Sequence, residues 1–350
     1  MRILLSARHR YPAGGAVGTG LRANPRMTGG AAVVQDQLAR GLAELGQEVD
    51  YHLPKGFDLP LPPGVRPVGG AERSVDVMHH VNGLFLRDDW PGETLAALGA
   101  PWVATWHINT TPTADPPPAP HHARSRLPAN WIAVSRTLAR LYDHPRFVLN
   151  GVDPADLIYS NAKEEYLLFA CRADVADRKG LGLALDLART AGFPLTVMAG
   201  STSDAVMLDL DARCRAAGIH FVGDVRGRAK AELFAGARAL LFPTQLDEGC
   251  AVVIAEALMS GTPVLASPRG SCPEMVSPDV GFLCATRDDY LLALDRLGAI
   301  RPEDCRRRAL ERFHYLRMAR GYIAEYEHEL GVYGSDSRRY VARSLDELQN

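Results

Sequence analysis

The sequence predicts an α/β fold of two doubly wound, Rossmann-like lobes. Three observations lead there: apolar runs of strand length recur along the chain, longer segments separate them, several with helical spacing, and the pattern falls into two series. A chain of 350 residues, 47% of them hydrophobic and 23% charged, has the apolar material for two ordinary cores, because a domain usually takes roughly 100–200 residues.

In the first series Ile3–Ser6, Val49–Leu53, Val75–Met78, Trp102–Trp106, Trp131–Ser135 and Phe147–Leu149 read as strands. The clearest helix opens after Thr28-Gly29-Gly30: Val34, Leu38, Leu42 and Leu45 share one face, and Gly46 supplies the stop. Thr111–His122 packs five prolines into a short stretch and reads as a loop of polyproline character. Turn residues at Asn150–Pro154 and the polar run Ser160–Glu165 set a hinge over 151–164. The expected domains are therefore 1–155 and 156–330, with 331–350 a polar surface tail. In the second series Tyr166–Ala170, Leu195–Ala199, Ile219–Val222, Ala239–Phe242 and Pro263–Ser267 read as strands, with helices such as Leu181–Ala191 and Ala251–Met259 between them. A ligand of such a fold is expected in a cleft, at the carboxyl ends of the strands.

Composition narrows the partner. A formal net charge of -2 gives no broad pull toward nucleic acid or anionic lipid, so a small molecule is expected, no nucleic acid, and peripheral membrane contact is not indicated. The apolar opening Ile3-Leu4-Leu5 is too short for a signal-peptide core or a membrane span, and the six cysteines, at irregular spacings in the second half, read as reduced thiols. A cytoplasmic location is the expectation. The adjacent pairs His79-His80 and His121-His122 do not share a face on regular structure, so no metal site is expected from them.

The densest chemistry lies in Leu241–Leu265, which reads as strand, loop, helix, turn, strand. A helix opening near Ala251 aims free backbone N–H groups and its positive dipole end at the preceding loop, which suits a diphosphate. Glu248, before that helix, can reach sugar hydroxyls, and Glu256, inside it, has two oxygens that can accept both hydroxyls of a ribose. Arg172 and Lys179 follow the first strand of the second series and are suited to meeting the charge of a departing diphosphate, with Arg178 an alternative to Lys179. Gly18–Ala23 superficially fits a dinucleotide fingerprint but stands too far from the Ile3–Ser6 strand, and a Walker loop is excluded by Leu21 where lysine is needed.

The tract Glu256-Ala257-Leu258-Met259-Ser260-Gly261-Thr262-Pro263-Val264, with Glu248 upstream, resembles the signature of the retaining GT-B glycosyltransferases of family four. That resemblance implies GT-B architecture, with Glu248 holding the donor sugar, Glu256 the ribose, and Arg172 and Lys179 clamping the diphosphate. Val225 resembles the backbone that borders the base, and Gly249, Cys250 and Ala251 fall in the donor loop; Gly270–Glu274 resembles a later glycine-rich loop. The family usually has glycine where this chain has Ala251. Gly29 and Gly30 resemble the pair that begins the first-lobe helix, and His107, ending the Trp102–Trp106 strand, resembles a histidine near donor sugar and acceptor, with a polar or proton-handling role. Cys250 and Cys272 read as packed small thiols.

The resemblance implies transfer of a sugar, with retention, from a nucleotide-diphosphate donor to a hydroxyl on a glycan, a lipid-linked acceptor or a small metabolite. A UDP-sugar is favoured over a GDP-sugar, and neither an obligatory metal nor another cofactor is expected. The alternatives are a nucleotide-sugar epimerase or hydrolase on the same fold, or a non-catalytic nucleotide-sugar-binding subunit.

Overall fold

The computed structural model describes residues 1–6, 30–52, 61–69, 74–81, 99–107, 129–201 and 203–335. Gly29, the proline-rich segment 111–122 and the pair His121-His122 lie outside these residues. Contacts divide the chain into two compact units, one holding the described residues up to Gly151 together with the helix from Tyr315, the other running from Val152 to His314.

The first unit is built on a six-stranded sheet of β1 (Arg2–Ser6), β2 (Glu48–His52), β3 (Val65–Val68), β4 (Val77–His80), β5 (Trp102–Trp106) and β6 (Trp131–Ala133), in the order β3-β2-β1-β4-β5-β6. Each neighbouring pair is parallel. Parallel strands need crossovers that cover both faces, and β5 is accordingly buried along its whole length. Helix α1 (Gly30–Glu44) buries Val34, Leu38 and Leu42 as its spacing predicts, and Gly46 follows in the left-handed region. Helix α2 (Arg136–Leu141) is capped by Ser135, whose Oγ accepts from the Leu138 N–H at 3.1 Å.

The second unit repeats the plan with β7 (Leu167–Arg172), β8 (Leu195–Gly200), β9 (His220–Gly223), β10 (Ala239–Phe242), β11 (Val264–Ala266) and β12 (Gly281–Leu283), in the order β12-β11-β10-β7-β8-β9. Its crossovers include α3 (Leu181–Ala191), α4 (Asp204–Ala216), α5 (Gly227–Gly236), α6 (Val252–Met259) and the short α7 (Cys272–Met275), and α8 (Arg287–Asp295) and α9 (Pro302–Arg312) follow the last strand. Leu167, Phe169, Leu181, Val197, Leu241 and Tyr290 are among its core. Counted within each unit, both sheets follow the Rossmann order 3-2-1-4-5-6. The order reverses beside β1 and β4 in one sheet and beside β7 and β10 in the other, and ligands of such sheets bind beyond the carboxyl ends at that reversal.

The structure corrects several expectations. The strand expected at 75–78 lies at Val77–His80, so both histidines are strand residues with no exposure. Phe147–Leu149 is no strand; Phe147 makes a single bridge to Ala133. β3 and β12 were not expected, being short edge strands, and Pro67 is tolerated in β3 because an edge strand can spare an N–H. The largest difference concerns helix α10 (Tyr315–Ser335), which the boundaries 156–330 and 331–350 place in the second domain and the tail. It packs instead with α1 and β5 of the first unit, burying Tyr315, Met318, Ala319, Tyr322 and Tyr326.

A buried polar network fastens α10 to the sheet. His79 Nδ1 lies 2.7 Å from the Tyr326 hydroxyl and Nε2 lies 2.7 Å from Thr105 Oγ1, which is 2.8 Å from the Tyr322 hydroxyl. Arg146 adds a second tie, its Nε 2.6 Å from Glu325 and its Nη1 bonded to the buried Glu329. Burial first, then the neighbouring charges of His80 and His107, hold His79 well below the ordinary histidine pKa, so the folded state keeps this ring neutral. The unfolded chain protonates it near pH 6.5 and therefore binds more protons below that value, so stability falls as pH drops through it. The melting temperature is expected to decrease between pH 7.5 and 5.5, and His79→Gln to narrow that decrease; an unchanged decrease would remove His79 as its source.

Candidate functional site

At the reversal beside β7 and β10, three loops lock together. Gly180 precedes α3 with φ of 88°, and a Cβ there would lie 2.1 Å from the Pro243 carbonyl oxygen, so only glycine lets the loop after β7 meet the end of β10. The Gln245 N–H donates to the Arg178 carbonyl at 2.8 Å. Gly270, after β11, has φ of 52°, and a Cβ there would lie 2.2 Å from the Glu248 nitrogen, while the Ser271 N–H donates to the Glu248 carbonyl at 2.9 Å. The acid-bearing loop is thus held by backbone on both sides.

Within that frame Lys179 Nζ lies 2.6 Å from Glu248 Oε1 and 5.1 Å from the centre of the Phe242 ring. Both side chains are mostly buried, at 17% and 13% exposure, so their mutual charge is poorly screened. Thr244 Oγ1 donates to the same Glu248 oxygen at 2.9 Å. Helix α6 starts at the neighbouring Ala251, an N-cap in extended conformation with no side-chain hydrogen bond, which leaves its first-turn N–H groups without a side-chain acceptor. Inside the helix, Glu256 is buried, and its Oε1 lies 2.6 Å from Lys230 Nζ of α5. Lys163 braces these helices from behind, donating to the Ala235 and Ser260 carbonyls and to Thr262 Oγ1; burial lowers its pKa to about 8.

The structure brings Lys179 and Glu248 into one ion pair, with Gly249, Cys250 and Ala251 buried between Glu248 and α6. Arg172 stands apart from that pair: it ends β7, is exposed, and reaches Asp174 at 3.2 Å. Arg178 is exposed, and Lys179 is the residue turned toward Glu248. Val225 is buried in the turn from β9 to α5, between Asp224 and Arg226, which pair at 3.0 Å. Cys250 is buried, its sulfur 4.0 Å from that of Met275; burial first, then the Glu248 charge, raise the Cys272 thiol pKa. In the first unit Gly30 opens α1, exposed, and His107 follows β5, partly buried. All six cysteines are free, and among the described residues no His, Cys, Asp or Glu cluster is arranged to hold a metal ion. Among them, too, no helix is long and apolar enough to cross a membrane.

Residues 164–297 match the family model described as Glycosyl transferases group 1. The matched stretch lies within the second unit and holds both lysine–glutamate pairs, the acid loop and helix α6. No curated protein sequence matches the chain. Among solved structures, AviGT4, a glycosyltransferase involved in avilamycin A biosynthesis, is similar at 24% identity and a TM-score of 0.71, with 94% of this chain and 98% of that one covered. Sucrose-phosphate synthase from Thermosynechococcus elongatus is similar at 18% identity and a TM-score of 0.70, covering 95% and 99%. HepE of Anabaena, solved with UDP and glucose, is similar at 15% identity and a TM-score of 0.62, covering 93% and 98%. These similarities give the fold as GT-B.

Two residues of this site were not singled out from the sequence, Lys230 and Thr244. Lys230 had a legible signal. A cation in the first turn of a helix opposes the helix dipole, and none of the first-turn residues of α5 is acidic, so Lys230 needs a carboxylate from elsewhere. Glu256 supplies it.

Proposed function

We propose that the chain is a retaining glycosyltransferase that moves a sugar from a nucleotide-diphosphate donor to a hydroxyl acceptor. The observation that carries this reading is the placement of two lysine–glutamate pairs around the uncapped start of α6, at the strand-order reversal of the second unit. The α6 N–H groups and Lys179 receive the diphosphate, with Arg172 swinging from Asp174 to join them. Glu256 takes the ribose hydroxyls through the oxygen that Lys230 leaves, and Glu248 takes hydroxyls of the sugar. The base lies along the Val225 backbone, and Gly29, Gly30 and His107 serve the sugar and acceptor side.

Leaving-group charge is met by these protein cations and the helix start, so no metal is required for the departure. Glu248 is engaged by Lys179 and Thr244, which makes it a weak nucleophile and favours attack by the acceptor on the face the diphosphate leaves, with a phosphate oxygen taking the acceptor's proton. A UDP-sugar is the favoured donor, a choice supported by the similar HepE structure solved with UDP and glucose. The free thiols accord with a cytoplasmic location.

Incubating the purified protein with UDP-sugars and an acceptor panel, and following the product by NMR, tests the reading. An α-linked donor is expected to give an α-linked product with release of UDP. An inverted product overturns retention, and an epimer or free sugar formed without acceptor overturns transfer.

A further inference from the structure

Thr244 touches nothing that reacts, yet it decides which oxygen of Glu248 faces outward. Its side chain is 1% exposed. Oγ1 accepts the Leu246 N–H at 3.1 Å, so its own proton is free to go to Glu248 Oε1, 2.9 Å away. The residue is itself fixed: Ser267, after β11, donates from Oγ to the Thr244 carbonyl at 2.6 Å, and the Ser267 N–H donates to the Phe242 carbonyl at 3.2 Å. Lys179 meets the same carboxylate oxygen at 2.6 Å. Oε1 is therefore doubly engaged, and rotating the carboxylate would break both contacts at once.

We propose that Thr244 is a positioning residue that presents Glu248 Oε2 to a hydroxyl of the donor sugar and keeps Lys179 on a single carboxylate oxygen, leaving its remaining protons for phosphate. This rests on the reading of the site as a nucleotide-sugar site. Without the hydroxyl, the Lys179–Glu248 pair survives but the carboxylate turns freely, and Lys179 can draw both oxygens to itself. Sugar recognition then suffers while the nucleotide, held by α6, Lys179 and Glu256, keeps its contacts. The consequence is a split between two ligands that differ only in the sugar.

The test is calorimetric titration of wild type, Thr244→Val and Thr244→Ser with UDP, GDP, TDP and ADP and with their glucose conjugates, using the base that wild type binds best. Thr244→Val keeps the shape of the side chain and removes the donor; Thr244→Ser restores it. Thr244→Val is expected to weaken the nucleotide sugar about tenfold, the scale of a lost hydrogen bond to a charged group, and the bare diphosphate by less than about twofold, with Thr244→Ser close to wild type. Equal weakening of both ligands makes Thr244 a plain structural strut, and no weakening of either removes its role; both overturn the proposal and leave the site reading standing. Wild type that binds no nucleoside diphosphate overturns the site reading, and the proposal with it.

Discussion

Lys179→Met is expected to lower kcat/KM with a nucleotide-sugar donor by roughly two to three orders of magnitude, the scale seen when one preorganised donor to a developing charge is removed. Lys179 Nζ lies 2.6 Å from Glu248 Oε1, and Glu248 stands three residues before Ala251, the N-cap of α6, where leaving-group charge would collect. Removing Lys179 also strips a largely buried carboxylate of its counter-charge, which is unfavourable for the folded site. Arg178→Met is the matched comparison: that side chain is exposed, Lys179 is the neighbour paired with Glu248, and the variant keeps the backbone carbonyl that accepts from Gln245, so kcat/KM is expected to change by less than about twofold. Steady-state rates of the two variants side by side check the difference. Similar losses in both would mean that general positive charge, rather than the Lys179 geometry, assists departure.

Gly180→Ala is expected to cost about 3 kcal/mol or more, because two penalties coincide. The φ of 88° lies where L side chains are strained, and the new methyl would meet the Pro243 carbonyl, a backbone atom that cannot rotate away. For a unit of this size such a loss lowers the melting temperature by roughly 6–12 °C. Activity should fall further than stability, since separating Gly180 from Pro243 pulls Lys179 from Glu248. Gly182→Ala, two residues on in α3, is the control: a Cβ there meets nothing within 4 Å, so a neutral or slightly stabilising effect is expected. Thermal unfolding of the two variants measures this directly, and equal effects would show that the loop after β7 can open without cost.

How far the sequence revealed this molecule depended on whether a feature was local. The run from Leu241 to Leu265 is contiguous, and its strand, loop, helix and second strand fall where the residues place them, with Ala251 the N-cap of α6. Helix Leu181–Ala191 is equally plain, because glycines in the left-handed region bound it on both sides. Features made by distant partners were hidden. His79 and His80 look like polar residues beyond a strand, yet His79 belongs to β4 because Tyr326, far along the chain, supplies its hydrogen bond. Helix α10 follows the second unit in sequence, so its return to the first could be seen only through what its tyrosines touch. Short edge strands such as Gly281–Leu283 present too few alternating residues to announce themselves. In the site, Glu248, Glu256 and Lys179 stood out by motif and position, Lys230 was marked only by its unfavourable place in the first turn of its helix, and Thr244 emerged only as the group that holds Glu248 in place.

The proposed chemistry of this site turns on where a diphosphate sits. A crystal structure of the full chain with an unhydrolysed UDP-sugar tests this most directly. Phosphate oxygens are predicted within hydrogen-bond distance of Lys179 Nζ and the first backbone N–H groups of α6, with ribose on Glu256 and sugar hydroxyls on Glu248 Oε2. A nucleotide bound elsewhere, with both lysine–glutamate pairs untouched and the start of α6 bare, would contradict it.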